Sequence, residues 1–335
     1  MILAFDTSCD DTAVAVLKDN GNYVNLIASQ IEVHKALGGV VPELAARKHA
    51  EVIAALTKEA LHKAEAELSQ IDFLSVTVGP GLLPSLLVGV SFAKALAYSH
   101  SVPLIAVHHI EGHIFAPFFK RELIFPFLSL VVSGGHTHLF LVKGVGEYEI
   151  IGKTLDDAVG EAFDKVARLL GLEYPGGPVI DRLSKTGDPY RFKIPQGLKH
   201  DKSYNFSFSG VKTYVKNLVN SMGNLSKSDI SDIAASFQKA SIDILVEKTF
   251  KAATEYGVKI VSISGGVSAN SYLREAFAEA GKQKGIEVVL PPREMTTDNA
   301  LMIAYRASFR PFEEATTEFS LIEAKPSIKV GSKLI

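Results

Sequence analysis

MILAFDTSCDDTAVAVL, residues 1–17, joins one apolar strand to another through a turn of small and acidic residues. The plan returns at residues 127–142, FLSLVVSGGHTHLFLV, where an SGGHTH turn links two apolar runs. A strand–turn–strand unit that occurs twice in one chain is the mark of a duplicated architecture. After the first copy come helical patterns over 43–66 and 85–99, separated by a strand pattern at 73–80. After the second come a helix over 157–170, a Gly- and Pro-rich loop at 173–178 and a helix over 229–255. A strand that enters a Gly/Ser turn and opens a helix then follows over 260–281. Two similar halves of this kind predict an α/β protein with a cleft between its lobes and a boundary near 105–127.

The chain has 335 residues, 47% of them apolar, with no tryptophan, which is enough to build two cores. Its formal charge of −2 excludes a globally basic nucleic-acid binder, so any RNA contact is regional. One such region is 185–216, which holds seven Lys or Arg against two acids, with Tyr190, Phe192, Tyr204 and Phe206 interspersed. Cys9 is the only cysteine, which rules out an internal disulfide and suits a reducing cytosol. The longest apolar runs, such as 86–90 and 127–132, are too short to cross a bilayer. These features predict a cytoplasmic protein with no membrane contact.

Several clusters carry possible chemistry. Gly134 and Gly135 end one apolar strand and Gly265 and Gly266 another, and glycine lets main-chain N–H groups approach an anion. Asp6, Asp10 and Asp11 crowd the first turn and would repel one another without a cation or donors. Asp157, Glu161 and Asp164 are spaced to form one stripe on a helix, as a site or as a solvated face. His136 and His138 flank the second hairpin, as site-lining or structural histidines. In HHIEGH, 108–113, His109 and His113 stand one helical turn apart on one face and could share a metal. A helical zinc protease needs Glu directly after the first His, where this chain has Ile110. Glu111, two residues on from His109, points away from the metal face. A third ligand must come from elsewhere; Asp298, just before a helix, is a candidate that spacing alone does not fix.

The stretches DTSCDDT, GGVVPELAARKH, HHIEGHIFA, VSGGHTHL, DDAVGEAFDK, YPGGPVID, FSFSGVKT, SGGVSAN and TTDNALMIAY run in order from the start to about residue 307. Together they resemble the bacterial TsaD family of tRNA threonylcarbamoyltransferases, formerly called O-sialoglycoprotein endopeptidases. The resemblance implies the actin-like ATPase fold of sugar kinases, Hsp70 and actin, with two duplicated RNase H-like lobes and a central cleft. It divides the chain into an N-terminal lobe, 1–110, a C-terminal lobe with inserted helices, 111–310, and a tail, 311–335. It implies transfer of a threonylcarbamoyl group from L-threonylcarbamoyl-adenylate to N6 of adenosine 37 in tRNAs that read ANN codons. A carbamoyltransferase acting from carbamoyl-adenylate on another acceptor is the alternative. The family's metal, iron or zinc and possibly magnesium, would fall on His109, His113 and Asp298. The acyl-adenylate would contact Val131, Val132, Ser133, Gly134, Gly135, Asp164, Gly177, Asp181 and Asn270. Catalytic positions are expected at Asp11 and Asp164; Asp6 and Asp11 stand where relatives often carry the longer Glu. Implied partners are tRNA, a TsaB-like paralogous subunit and a TsaE-like ATPase; the amphipathic helix over 42–65 reads as a partner surface or as ordinary core. Cys9, with no histidine nearby in sequence, reads as a bystander thiol.

Overall fold

The computed structural model describes residues 1–335 except 36 and 38. Along the chain run β1 (Ile2–Asp6), β2 (Asp11–Leu17), β3 (Tyr23–Ser29), α1 (Ile31–Lys35), α2 (Pro42–Lys63), β4 (Phe73–Gly79) and α3 (Leu83–His100). Then follow β5 (Leu104–His108), α4 (His109–Phe115), β6 (Phe127–Val132), β7 (Thr137–Gly144), β8 (Glu147–Lys153), α5 (Val159–Leu169), α6 (Gly176–Ser184) and α7 (Ser209–Met222). The remainder comprises α8 (Lys227–Glu255), β9 (Ile260–Ser264), α9 (Ser271–Lys284), β10 (Glu287–Val289), α10 (Ala300–Ala307), α11 (Pro311–Glu314) and β11 (Ala315–Thr316).

The chain forms two compact units, residues 1–122 with 297–335, and residues 123–296. The sheet of the first unit has the order β11-β5-β4-β1-β2-β3 and that of the second β10-β9-β6-β7-β8. In each, the first three strands pair antiparallel and the next two parallel, so β1–β5 and β6–β10 follow one plan. The duplication expected from the two hairpins is therefore present in the strand order.

In the first unit Leu3, Phe5, Val14, Val76 and Leu104 pack with Ile53 of α2 and Val90, Ala93 and Ala97 of α3. The buried positions of α2, Ala45, His49, Ile53, Thr57 and Ala60, recur every three or four residues and make one stripe toward this core. Gly89 of α3 lets the helix lie against the first turn, because a Cβ there would fall 2.4 Å from Thr7 Oγ1. The Thr7 hydroxyl donates to the Ser85 carbonyl at 2.8 Å and fixes the contact. In the second unit, α8 starts from a Ser226/Asp229 capping box. It buries Phe237 edge-on against Phe163, with ring centres 4.9 Å apart.

Three expectations differ from these elements. Residues 176–178 of the expected Gly/Pro loop open α6, which is possible because first-turn N–H groups need no helical acceptor and Asp164 accepts the Gly176 N–H at 2.7 Å. Asp157 lies outside the helix expected from 157, since α5 starts at Val159. The expected division at 110 and 310 also differs from the two units, because the segment after Thr296 returns to the first unit. There β11 pairs with β5, Ile322 enters the core and the Lys325 N–H donates to the Val78 carbonyl at 2.7 Å.

Candidate metal centre and nucleotide turns

Strand β5 ends at His108, where α4 begins, so the first unit carries His109 and His113 on a buried helix. His108 caps that helix: its Nδ1 accepts the Ile110 N–H at 3.1 Å, which leaves Nε2–H to donate to the Ile328 carbonyl at 3.2 Å. This arrangement requires a neutral ring, and burial pushes the His108 imidazole down to about 4. One turn separates His109 from His113, whose rings lie 4.8 Å apart and nearly perpendicular. Asp298, two residues before α10, meets both, with Oδ1 3.1 Å from His113 Nε2 and 3.5 Å from His109 Nε2. One ligand atom from each of the three residues lies within 4.8 Å of the others.

These residues fit a divalent cation. Two imidazoles and one carboxylate form a donor set suited to iron or zinc, with positions left for exogenous oxygen ligands. Among the described residues, Nδ1 of His109, Nδ1 of His113 and Oδ2 of Asp6 are buried beside it without a hydrogen-bond partner. Asp6 Oδ2 stands 3.4 Å from His109 Nδ1, on the side away from Asp298, as a carboxylate that orients a metal-bound histidine would. Burial alone would lower the His109 pKa, but the Asp298 and Asp6 carboxylates raise it to about 10. Burial would raise the Asp298 carboxyl, and the two histidines instead hold it well below the usual carboxylate range. The pocket thus carries the negative charge that a cation would neutralise.

The neighbours of the centre separate its roles. Glu111 is buried and accepts from Arg306 Nε at 2.5 Å, so it faces α10 and not the metal cluster. Arg306 also forks onto Glu314, Nη1 and Nη2 each 3.0 Å from a carboxylate oxygen. Asp11 opens β2 opposite Ser29. Burial, reinforced by Asp10 and Asp298, pushes its carboxyl up to about 6 against the pull of Ser29. Burial and the same acids push the Cys9 thiol up, which keeps it protonated and a poor nucleophile.

The second unit holds the other expected positions. Val131 and Val132 are buried at the end of β6. In the turn that follows, Ser133 N–H donates to the His136 carbonyl at 2.8 Å and Ser133 Oγ accepts the His136 N–H at 3.1 Å. A Cβ on Gly134, Gly135 or Gly177 would meet nothing within 4 Å, so the space over them is open to a ligand. Gly265, at φ +87°, brings the second SGG turn against the first; a Cβ there would fall 2.3 Å from the Val132 carbonyl oxygen. Asp181 accepts from the Ser271 hydroxyl at 2.7 Å. Asn270 caps α9 through Leu273 N–H at 3.0 Å and donates to Gln238 at 2.6 Å. Burial raises the Asp164 carboxyl.

Of the expected acidic stripe, Asp157 takes Lys165 and Lys212 and Glu161 takes Lys165, whereas Asp164 accepts the Gly176 N–H. Much of the basic stretch is also structural. Arg191 binds Asp229 and Asp232, each at 2.6 Å, Tyr204 donates to Glu255, and Phe206 lies in the core. The sequence reading missed Arg306, Gln238 and Ser271, whose partners lie far away along the chain.

His138 of β7 is half-buried, and burial together with Lys153 lowers its pKa. The unfolded chain, with a histidine pKa of about 6.5, takes the proton first as pH falls. Its contribution to stability is therefore present above about pH 6.5 and lost toward the lower folded pKa. Thermal melts of metal-free protein between about pH 7.5 and 5 should show a steeper acid loss for the wild type than for His138→Gln. Parallel curves would remove His138 as a source of the pH dependence.

Two units of one strand order and a buried His–His–Asp centre define an actin-like ATPase-fold protein with a candidate metal site. HypF, in a full-length crystal structure with phosphate and nucleotide bound, shares the fold at a TM-score of 0.59 and 17% identity, over 91% of this chain and 46% of that one. The family model for TsaD, tRNA N6-adenosine threonylcarbamoyltransferase, matches residues 23–305, and the chain belongs to that family. A tRNA N6-adenosine threonylcarbamoyltransferase of Thermosipho africanus is 49% identical over 98% of this chain and all of the relative. One of Geotalea uraniireducens is 51% identical over 91% of this chain and 89% of the relative. Among the described residues no helix is long and apolar enough to cross a membrane.

Proposed function

We propose that this chain transfers the threonylcarbamoyl group of L-threonylcarbamoyl-adenylate to N6 of adenosine 37 in tRNAs reading ANN codons, with release of AMP. Family membership across residues 23–305 carries the reading. In the transfer the N6 nitrogen bonds to the activated carbonyl carbon, the bond from that carbon to the phosphate oxygen breaks, and the amine loses a proton. A cation held by His109, His113 and Asp298 would supply positive charge where oxygen becomes negative.

The chain's own groups divide the remaining work. Asp6 orients His109 through Nδ1. Asp11, whose carboxyl sits at about 6, is ionised at neutral pH yet basic enough to take the proton from the attacking amine. In the second unit, the space over Gly134, Gly135 and Gly177 offers room for the adenylate beside Val131, Val132, Ser133, Asp164, Asp181 and Asn270. The proposal includes iron or zinc as the metal, a TsaB-like subunit and a TsaE-like ATPase as partners, and a cytoplasmic location. A single-turnover assay with threonylcarbamoyl-adenylate and unmodified tRNA, with and without the two partners, tests it. Nucleoside mass spectrometry should show N6-threonylcarbamoyladenosine. No product under either condition, or carbamoylation of another acceptor, would reject the reading.

A further inference from the structure

The second unit carries an open groove of about 610 Å³ between residues 189–200 and one face of α8. Ser236, Lys239, Ala240 and Asp243 form its floor at helical spacing. The opposite wall is anchored, since Arg191 is held by Asp229 and Asp232 and the Asp188 N–H donates to Asp232 at 2.7 Å. The groove is thus a built feature between a long helix and a pinned segment.

Three features of its lining need an occupant. Tyr190 is 73% exposed, and Lys239 Nζ stands 5.4 Å from its ring centre, while Asp243 and the Tyr272 hydroxyl hold that lysine in place. An exposed ring set beside a fixed cation is a stacking platform. Gln196 Oε1 is buried and accepts no hydrogen bond among the described residues, an acceptor that awaits a donor. Lys193, Lys199 and His200 line the groove and are exposed, and among the described residues none of them is in an ion pair. A flat ring, a lone acceptor and free lysine side chains complement one ligand chemistry, a nucleotide, whose base offers a ring face and an N–H donor and whose phosphate carries negative charge.

We propose that this groove receives one unstacked nucleotide of the RNA substrate. The base lies on Tyr190, one of its N–H groups donates to Gln196 Oε1, and its phosphates meet Lys193 and Lys199. The inference rests on the reading of the chain as a tRNA-modifying enzyme. RNA is favoured over the acyl-adenylate because none of the positions assigned to the adenylate lines the groove.

The test is the affinity of the full chain for an unmodified tRNA transcript, measured by anisotropy beside adenylate binding and thermal melting. Tyr190→Ala should weaken tRNA binding by about tenfold, the loss of one stacked base, whereas Tyr190→Phe keeps the ring and the affinity. Joint replacement of Lys193 and Lys199 by Ala should flatten the dependence of log K on log salt by about 1.4, as expected for two lost single-strand phosphate contacts. Gln196→Leu, which removes the acceptor, should also weaken tRNA binding, by about the several-fold loss expected for one hydrogen bond. Adenylate affinity and melting temperature should stay at wild-type values. Wild-type tRNA affinity in all these variants would overturn the groove while leaving the proposed reaction intact. Loss of adenylate binding with tRNA binding kept would make the groove an adenylate subsite and overturn it equally. A wild-type chain that binds no tRNA would sink the proposed function and this inference together.

Discussion

Joint replacement of His113 and Asp298 by Ala should strip the chain of its metal and lower single-turnover transfer about a thousandfold or more. A cation that stabilises developing negative charge supplies several kcal/mol, and each 1.36 kcal/mol is a factor of about ten in rate. Both replaced groups meet at one point, with His113 Nε2 3.1 Å from Asp298 Oδ1. Either single variant should therefore lose nearly as much as the pair, because groups that act as a unit do not add. Asp6→Asn should be milder, with about 10- to 100-fold weaker metal binding, since Asp6 faces His109 Nδ1 and would not itself hold the ion. Metal content by atomic emission, measured beside the rate, decides the matter. Full activity in a double variant that holds no metal would end the assignment of this centre to the reaction.

Arg306→Leu should cost about 3–5 kcal/mol of stability, the penalty for stranding one partner of a buried ion pair. Glu111 and Arg306 are 3% and 5% exposed, so water cannot replace the lost guanidinium. Glu111 lies between the two histidines of α4, and Arg306 lies on the helix that follows Asp298. The pair therefore ties together the two elements that bear the metal ligands, and metal affinity should fall along with stability. The variant with Leu at both 111 and 306 should recover much of the lost stability, because it strands neither charge of that pair. Urea denaturation of metal-free protein gives the first quantity and cobalt titration the second. An Arg306→Leu chain as stable as the wild type would show that the pair has no such role.

What could be read in advance follows from the range over which sequence signals act. The paired hairpins were legible because strand alternation and turn residues are local, and the order of both sheets agrees with them. The His109–His113 spacing was legible for the same reason. Spacing could not select Asp298 as their partner, since 185 residues separate it from His113; the family resemblance selected it. The Arg306–Glu111 pair, 195 residues apart, left no pattern at all. The acidic stripe was open to two readings, site or solvated face, and spacing could not show that nearby lysines pair with Asp157 and Glu161. Gly176 to Pro178 read as loop because glycine and proline are weighed as breakers, whereas a first helical turn tolerates both.

The first unit is closed by its own last segment, and this sets an order of events during synthesis. Once His113 has been made, 185 further residues must be added before Asp298 appears. At about 5–20 residues per second this is roughly 10–40 s, during which the ribosome carries two histidines with no carboxylate to complete the set. Residues 123–296 are complete before Asp298 exists and are free to fold first. A nascent chain therefore cannot present the finished His–His–Asp set, and completion of this candidate metal centre falls among the last steps of the protein's maturation.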